Sequence, residues 1–125
     1  MQKLEFEAAW DRTIAEKDRN WITHIFNCYP VNEESGVHFT FLREAYNYKG
    51  ELLVMVLIHN CQDVPLNLNH TVITYDRNEG TIVAGIFDVP WEIPSKTSIP
   101  WTFIFTDLTP SEFIPHYHLL GGLDT

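Results

Sequence analysis

Two histidines, His116 and His118, stand two residues apart near the carboxyl end. On a strand both side chains fall on one face, as in a two-histidine metal arm. A tetrahedral site needs one or two further ligands. His24, His38, His59 and His70 are scattered, and nothing local completes a set. The pair reads as an exposed dipeptide, and no metal or other cofactor is expected. His59 and Cys61 close a long apolar run. A thiol near an imidazole is the raw material of a nucleophile and its base. No third group that would orient the base is evident, so Cys61 reads as a small apolar residue. Asp76, Asn78 and Gly80 match the opening of a calcium loop. The twelfth position of such a loop must be a bidentate Glu; here it is Phe87, and a hairpin turn explains all three residues. Glu33 with Glu34, and Asp11 with Glu16, are candidate acid/base pairs only if their surroundings push the two pKa values apart. A polar turn and the polar side of a helix do not. With no glycine-rich phosphate loop and no Ser-His-Asp grouping, the chain reads as a non-enzyme.

The elements that would carry these residues are mostly strands. "LEFEAAWDRTIAEKD" is the exception: Phe6, Trp10 and Ile14 recur at four-residue spacing, which predicts a helix with one apolar stripe. "NWITHIFNCYP" fits both periods and is read as a short extended piece. Val37, Phe39 and Phe41 alternate with His38 and Thr40. Leu52 to Ile58 is apolar on both faces, which predicts a central strand. Leu66 to Tyr75 forms the next strand or broken strand. "DRNEG" is a hairpin turn with glycine near its end, and Ile82 to Phe87 returns. "VPWEIPSKTSIP" carries three prolines, after which Trp101, Phe103 and Phe105 alternate with Thr102, Ile104 and Thr106. Proline is tolerated at the first residue of a strand and not inside a central ladder, so Pro100 is read as the start of this strand. Its aromatic face is expected to fill the core.

The reading is therefore mainly β: an immunoglobulin-like antiparallel β-sandwich with an N-terminal helix packed on or beside it. Residues 1–108 form one domain, and residues 109–125, "TPSEFIPHYHLLGGLDT", a loosely attached C-terminal arm. The 125 residues suit a single domain with its own core. A net charge of -9, with only 8 Lys and Arg, argues against nucleic acid and against anionic membrane surfaces. No apolar run approaches the length of a membrane span, and no basic-then-apolar leader precedes the fold, which places the chain in the cytoplasm. Cys28 and Cys61 are then expected to be reduced and buried.

With those residues in view the chain resembles the SLAP domain family of Firmicute bacteria. The resemblance runs from about Leu4 to Phe105. It rests on "FEAAW", on "ELLVMVLIHN" leading into "DVPLNL", on "DRNEGTIVAGIFDV", and above all on "IPSKTSIPWTFIF". It implies a non-enzymatic, β-rich domain of the kind linked to S-layer assembly and accessory secretion, and it brings no catalytic residues. This chain carries one copy where the founding proteins carry two. The expected job is protein interaction, with a protein partner or a second copy pairing at an edge strand. The alternative is a small-ligand or carbohydrate-binding module built on loop aromatics. Trp91, Tyr46, Tyr48 and Tyr117, with Tyr29, fall near loops and are the candidate interaction residues, since aromatic side chains are enriched at interfaces.

Overall fold

Pro100 lies inside a strand and not at its start. Strand β6 runs Thr97–Phe105. Within a strand, alternate residues aim their backbone N–H and C=O to the same side. The carbonyls of Lys96 and Ser98 accept from Lys3 and Glu5, each at 2.9 Å, so position 100 aims to that same side. The strand on that side, β1, spans only Lys3–Leu4 and pairs in parallel with Thr97 and Ser98. The missing donor of Pro100 falls beyond its end, so no ladder bond is lost.

The computed structural model describes residues 2–31, 35–76, 82–108 and 115–120. After β1 come helices α1 (Ala8–Thr13) and α2 (Glu16–Cys28), then β2 (Val37–Tyr46), β3 (Leu52–Asn60), β4 (Thr71–Asp76), β5 (Ile82–Phe87), β6 and β7 (Tyr117–Leu120). The strands form two sheets, in the orders β1-β6-β3-β2 and β5-β4-β7. The chain is mainly β, as expected, and β3 is central in its sheet. The sheets are mixed, which corrects the antiparallel reading. β4 pairs antiparallel with β5 but parallel with β7, and β1 is parallel to β6. Both parallel partners come from terminal segments, whose pairing no hairpin turn dictates. The supposedly loose tail thus supplies a strand at Tyr117–Leu120. The turn read at "DRNEG", residues 76–80, lies outside the described residues beyond Asp76, as do Glu33 and Glu34. Among the described residues no helix is long and apolar enough to cross a membrane.

The chain divides into two compact units. One holds residues 1–40, 57–66 and 93–100; the other holds 41–56, 67–92 and 101–125. In the first, the single helix read over residues 4–18 is replaced. Lys3 and Leu4 extend as β1, and the Glu7 carboxylate caps α1 by accepting the Ala9 N–H at 2.8 Å. Phe6 stays outside the helix under the Arg19 guanidinium, 4.8 Å from the ring centroid. Arg19 also pairs with Asp11 at 2.7 Å. "NWITHIFNC" is helical and not extended. Its helical period puts Ile22 and Ile25 on one face, and both are buried. Strand alternation would have placed one of them outside.

The second unit is held by rings. Phe41 and Tyr75 stack at 6.0 Å, Tyr75 and Phe105 at 6.1 Å. Phe87 meets Phe103 at 4.8 Å and Phe105 at 5.0 Å. Phe103 and Phe105 are fully buried, so the aromatic face of β6 is core, as its alternation predicts. Leu52, Val54 and Val56 of β3 are buried with them.

Candidate functional site

A connected polar grouping lies in the first unit, around His59 near the end of β3. His59 is 1% exposed. Its Nε2 is 2.7 Å from the Thr40 hydroxyl and its Nδ1 2.6 Å from the Ser98 hydroxyl. The Phe26 ring of α2 stacks on the imidazole at 6.4 Å. Gln2 Nε2 donates to Ser98 Oγ at 3.0 Å and to the Asn60 carbonyl at 3.1 Å. Burial, and secondarily the neighbouring His38, lower the His59 pKa from 6.5 to about 4, so at neutral pH the ring is uncharged. One ring nitrogen then donates and the other accepts, and the two hydroxyls rotate to match. The result is a hydrogen-bonded relay from Gln2 through Ser98 and His59 to Thr40.

A serine hydroxyl 2.6 Å from an imidazole has the spacing of a nucleophile and its base. Three features oppose that use. Ser98 is fully buried. The opposite ring nitrogen meets a hydroxyl and not a carboxylate, so nothing stabilises an imidazolium. The lowered pKa makes the ring a weak base. Beside the relay, Gln2, Phe26, Asn27, Pro30 and Val31 line an open depression of about 330 Å³. Gln2 belongs to both. No residue spacing announces this cluster, because its members come from β2, β3, β6 and the residue ahead of β1. The only sequence signal was a histidine within a run otherwise destined for the core.

Asn60, next along β3, explains the most specific motifs. It is fully buried. Its Nδ2 is 3.0 Å from each of the Val64, Ile93 and Pro94 carbonyls, and its Oδ1 accepts the Gln62 N–H at 3.1 Å. One amide therefore staples the "HNCQDVP" bend to the "IPSK" turn. Lys96 turns the chain at φ 52°, and its ammonium donates to the Cys61 carbonyl at 2.7 Å. Leu66 and Ile93 exchange two backbone bonds of 2.9 Å. These residues hold the two loops to one another.

The aromatic candidates are dispersed. Tyr46 and Tyr48 flank the turn after β2, Tyr48 being 94% exposed. Trp91 is half-buried and meets Trp101 edge-on at 5.3 Å, its indole N–H enclosed with no hydrogen-bond acceptor among the described residues. Tyr117 lies in β7 opposite Ile73, and burial raises its pKa. Tyr29 is exposed at the end of α2. The depressions beside Gln2, Arg43 and Ala84 are lined by other residues. The histidine pair of the tail is engaged locally. His116 Nδ1 accepts the Val72 N–H at 2.9 Å, and His118 Nδ1 is 2.5 Å from the Thr74 hydroxyl. Neither cysteine forms a disulfide; Cys61 is buried as expected, but Cys28 is exposed.

Among its described residues the second unit carries an open strand edge. Among the described residues β5 has a ladder partner, β4, on one side only. Its sequence, "IVAGIF", has no charge and no proline. Ile86 is 68% exposed, and Val72, Ala84, Gly85 and Ile86 line a shallow apolar depression of about 190 Å³.

No curated protein and no solved structure matches the chain. The family model of the SLAP domain matches residues 4–113, nearly the whole chain, and the protein therefore belongs to the SLAP domain family.

Proposed function

We propose that the chain is a non-catalytic protein-interaction domain that receives a partner strand, or a second copy of itself, along β5. The observation that carries this reading is the edge itself. Edge strands are ordinarily blunted by lysine, proline or a bulge, and β5 has neither lysine nor proline. An incoming strand would gain backbone hydrogen bonds from the ladder and bury Ile86 and the apolar depression beside it. The relay at His59 supports the same reading, since it positions strands and exposes no reactive group. Membership of the SLAP family suggests work in surface-layer assembly or accessory secretion, and the cytoplasmic face is where we place it. We read the two-layered, ring-filled packing of the second unit as immunoglobulin-like. Residues 1–108 and 109–125 are kept as domain and arm, with β7 as the part of the arm that docks.

The test is the variant Ile86→Lys. Its side chain is largely exposed, so the melting temperature should stay within a few degrees of the parent. Concentration-dependent association in light scattering, or strand capture measured with extended apolar peptides, should be lost. A parent protein that stays monomeric at all concentrations and captures no peptide removes the reading.

A further inference from the structure

We infer that the strand received along β5 belongs to a basic partner protein: an extended segment with an apolar centre and lysine or arginine at its ends. The inference rests on the reading of β5 as an open edge and names what that edge selects. Ladder register sets Val72 beside Ile86, Thr74 beside Ala84 and Asp76 beside Ile82. Alternation sends Val83 and Phe87 to the other face, where Val83 is buried and Phe87 joins the ring cluster. On the first face Ala84 stands between Ile82 and Ile86, and its short side chain leaves the depression that Val72, Gly85 and Ile86 complete. An incoming strand gains most there by laying one large aliphatic side chain against these apolar walls.

Charge sets the rest of the partner. Residues 67–92 hold four carboxylates, Asp76, Glu79, Asp88 and Glu92, against one basic side chain, Arg77. Two of the carboxylates bracket β5. Asp88 follows Phe87 directly, and Asp76 lies across the ladder from Ile82. Asp88 Oδ1 accepts the His70 N–H at 2.8 Å, and its Oδ2 is 3.5 Å from the His70 Nδ1. The carboxylate is thus held in place while more than half of the side chain faces water.

The six residues of β5, at about 3.4 Å apiece, span about 20 Å. A segment of that length brings one end beside Asp88 and the other within two strand spacings of Asp76, about 10 Å. Cationic ends are attracted at both places, and acidic ends are repelled. The net charge of -9 works in the same direction. It also disfavours a second copy, whose β5 is bracketed by the same two carboxylates.

The experiment follows the fluorescence anisotropy of three dye-labelled peptides on the full chain at low ionic strength. The peptides share a valine- and leucine-rich centre and differ only at their ends, which are lysine, glutamine or glutamate. The lysine-ended peptide should bind about fivefold more tightly than the glutamine-ended one, and the glutamate-ended one more weakly still. Asp88→Asn keeps an oxygen for the His70 N–H, so the melting temperature should hold. It should cut the affinity for the lysine-ended peptide by about two- to threefold and leave the glutamine-ended one unchanged. Ile86→Lys should abolish binding of all three. Equal binding of the three peptides, or a lysine preference unmoved in Asp88→Asn, would overturn the basic partner and leave β5 as an edge. No peptide bound by the parent would remove the reading of the edge itself. A parent that doubles in mass and releases the lysine-ended peptide as it does so would overturn the inference in favour of a second copy.

Discussion

The buried His59 makes the stability of this protein pH-dependent in a defined window. Unfolded, the ring titrates near 6.5; folded, burial holds it near 4, with His38 adding a smaller push. A depressed histidine pKa means the unfolded chain binds the proton more readily. Its full contribution is present above about pH 6.5 and is lost as the pH falls through 4. The shift corresponds to a loss on the order of 3 kcal/mol over that window. Urea melts across pH 4 to 7 should show stability falling with acid by up to one proton's worth of slope. His59→Gln, which cannot titrate, should be less stable at neutral pH but should flatten that slope. An unchanged acid limb in the variant would assign the effect to other groups. Both ring nitrogens already meet hydroxyls that can accept, so the penalty is desolvation of the charge and not a broken hydrogen bond. Asn60 is a different case. Its amide answers four backbone groups of two loops, and each left buried and unpaired would cost about 1–3 kcal/mol.

At the scale of elements, the packing of β5 turns on one missing side chain. A Cβ built on Gly85 would stand 2.6 Å from the Phe87 ring. A ring tip can often swing aside, but this one is held between Phe103 and Phe105. Gly85→Ala should therefore displace Phe87 from the ring cluster and cost about 1–3 kcal/mol as an overpacking change. Thermal melts check this; a variant as stable as the parent would show that the ring relocates freely. The elements differ in how far their residues announce them. The burial of Phe103 and Phe105 was legible because strict alternation leaves no second way to place three rings on one face. β3 was legible because seven apolar residues in a row have the length of a covered strand and are too few for a typical buried helix. The helix α2 was not, since "NWITHIFNCYP" satisfies both periods, and burial of Ile22 and Ile25 decides in favour of the helix. The pairings of β1 and β7 were not legible either. They are two and four residues long, too short for a period, and their partners are chosen by distant contacts. The His59 relay stayed hidden for the same reason, because hydrogen bonds between three strands and the residue ahead of β1 leave no spacing in the chain.

For the whole molecule, charge decides between the two occupants proposed for β5. The chain carries -9, so two copies repel, and the repulsion opposes pairing along an uncharged strand. Repulsion is long-ranged at low ionic strength, where the Debye length is about 30 Å at 0.01 M, and short-ranged at about 8 Å near 0.15 M. Apolar burial and backbone hydrogen bonds at the edge depend far less on salt. If β5 receives a second copy, association should tighten as salt is raised across that range. A basic partner strand should behave oppositely, because the same charge draws it in and salt screens the attraction. The measurement is sedimentation or light scattering at several salt concentrations, followed by the same series on a captured basic peptide. Self-association that weakens with salt would mean the contact is electrostatic and lies elsewhere than β5. Tightening that vanishes in Ile86→Lys would place it on this edge.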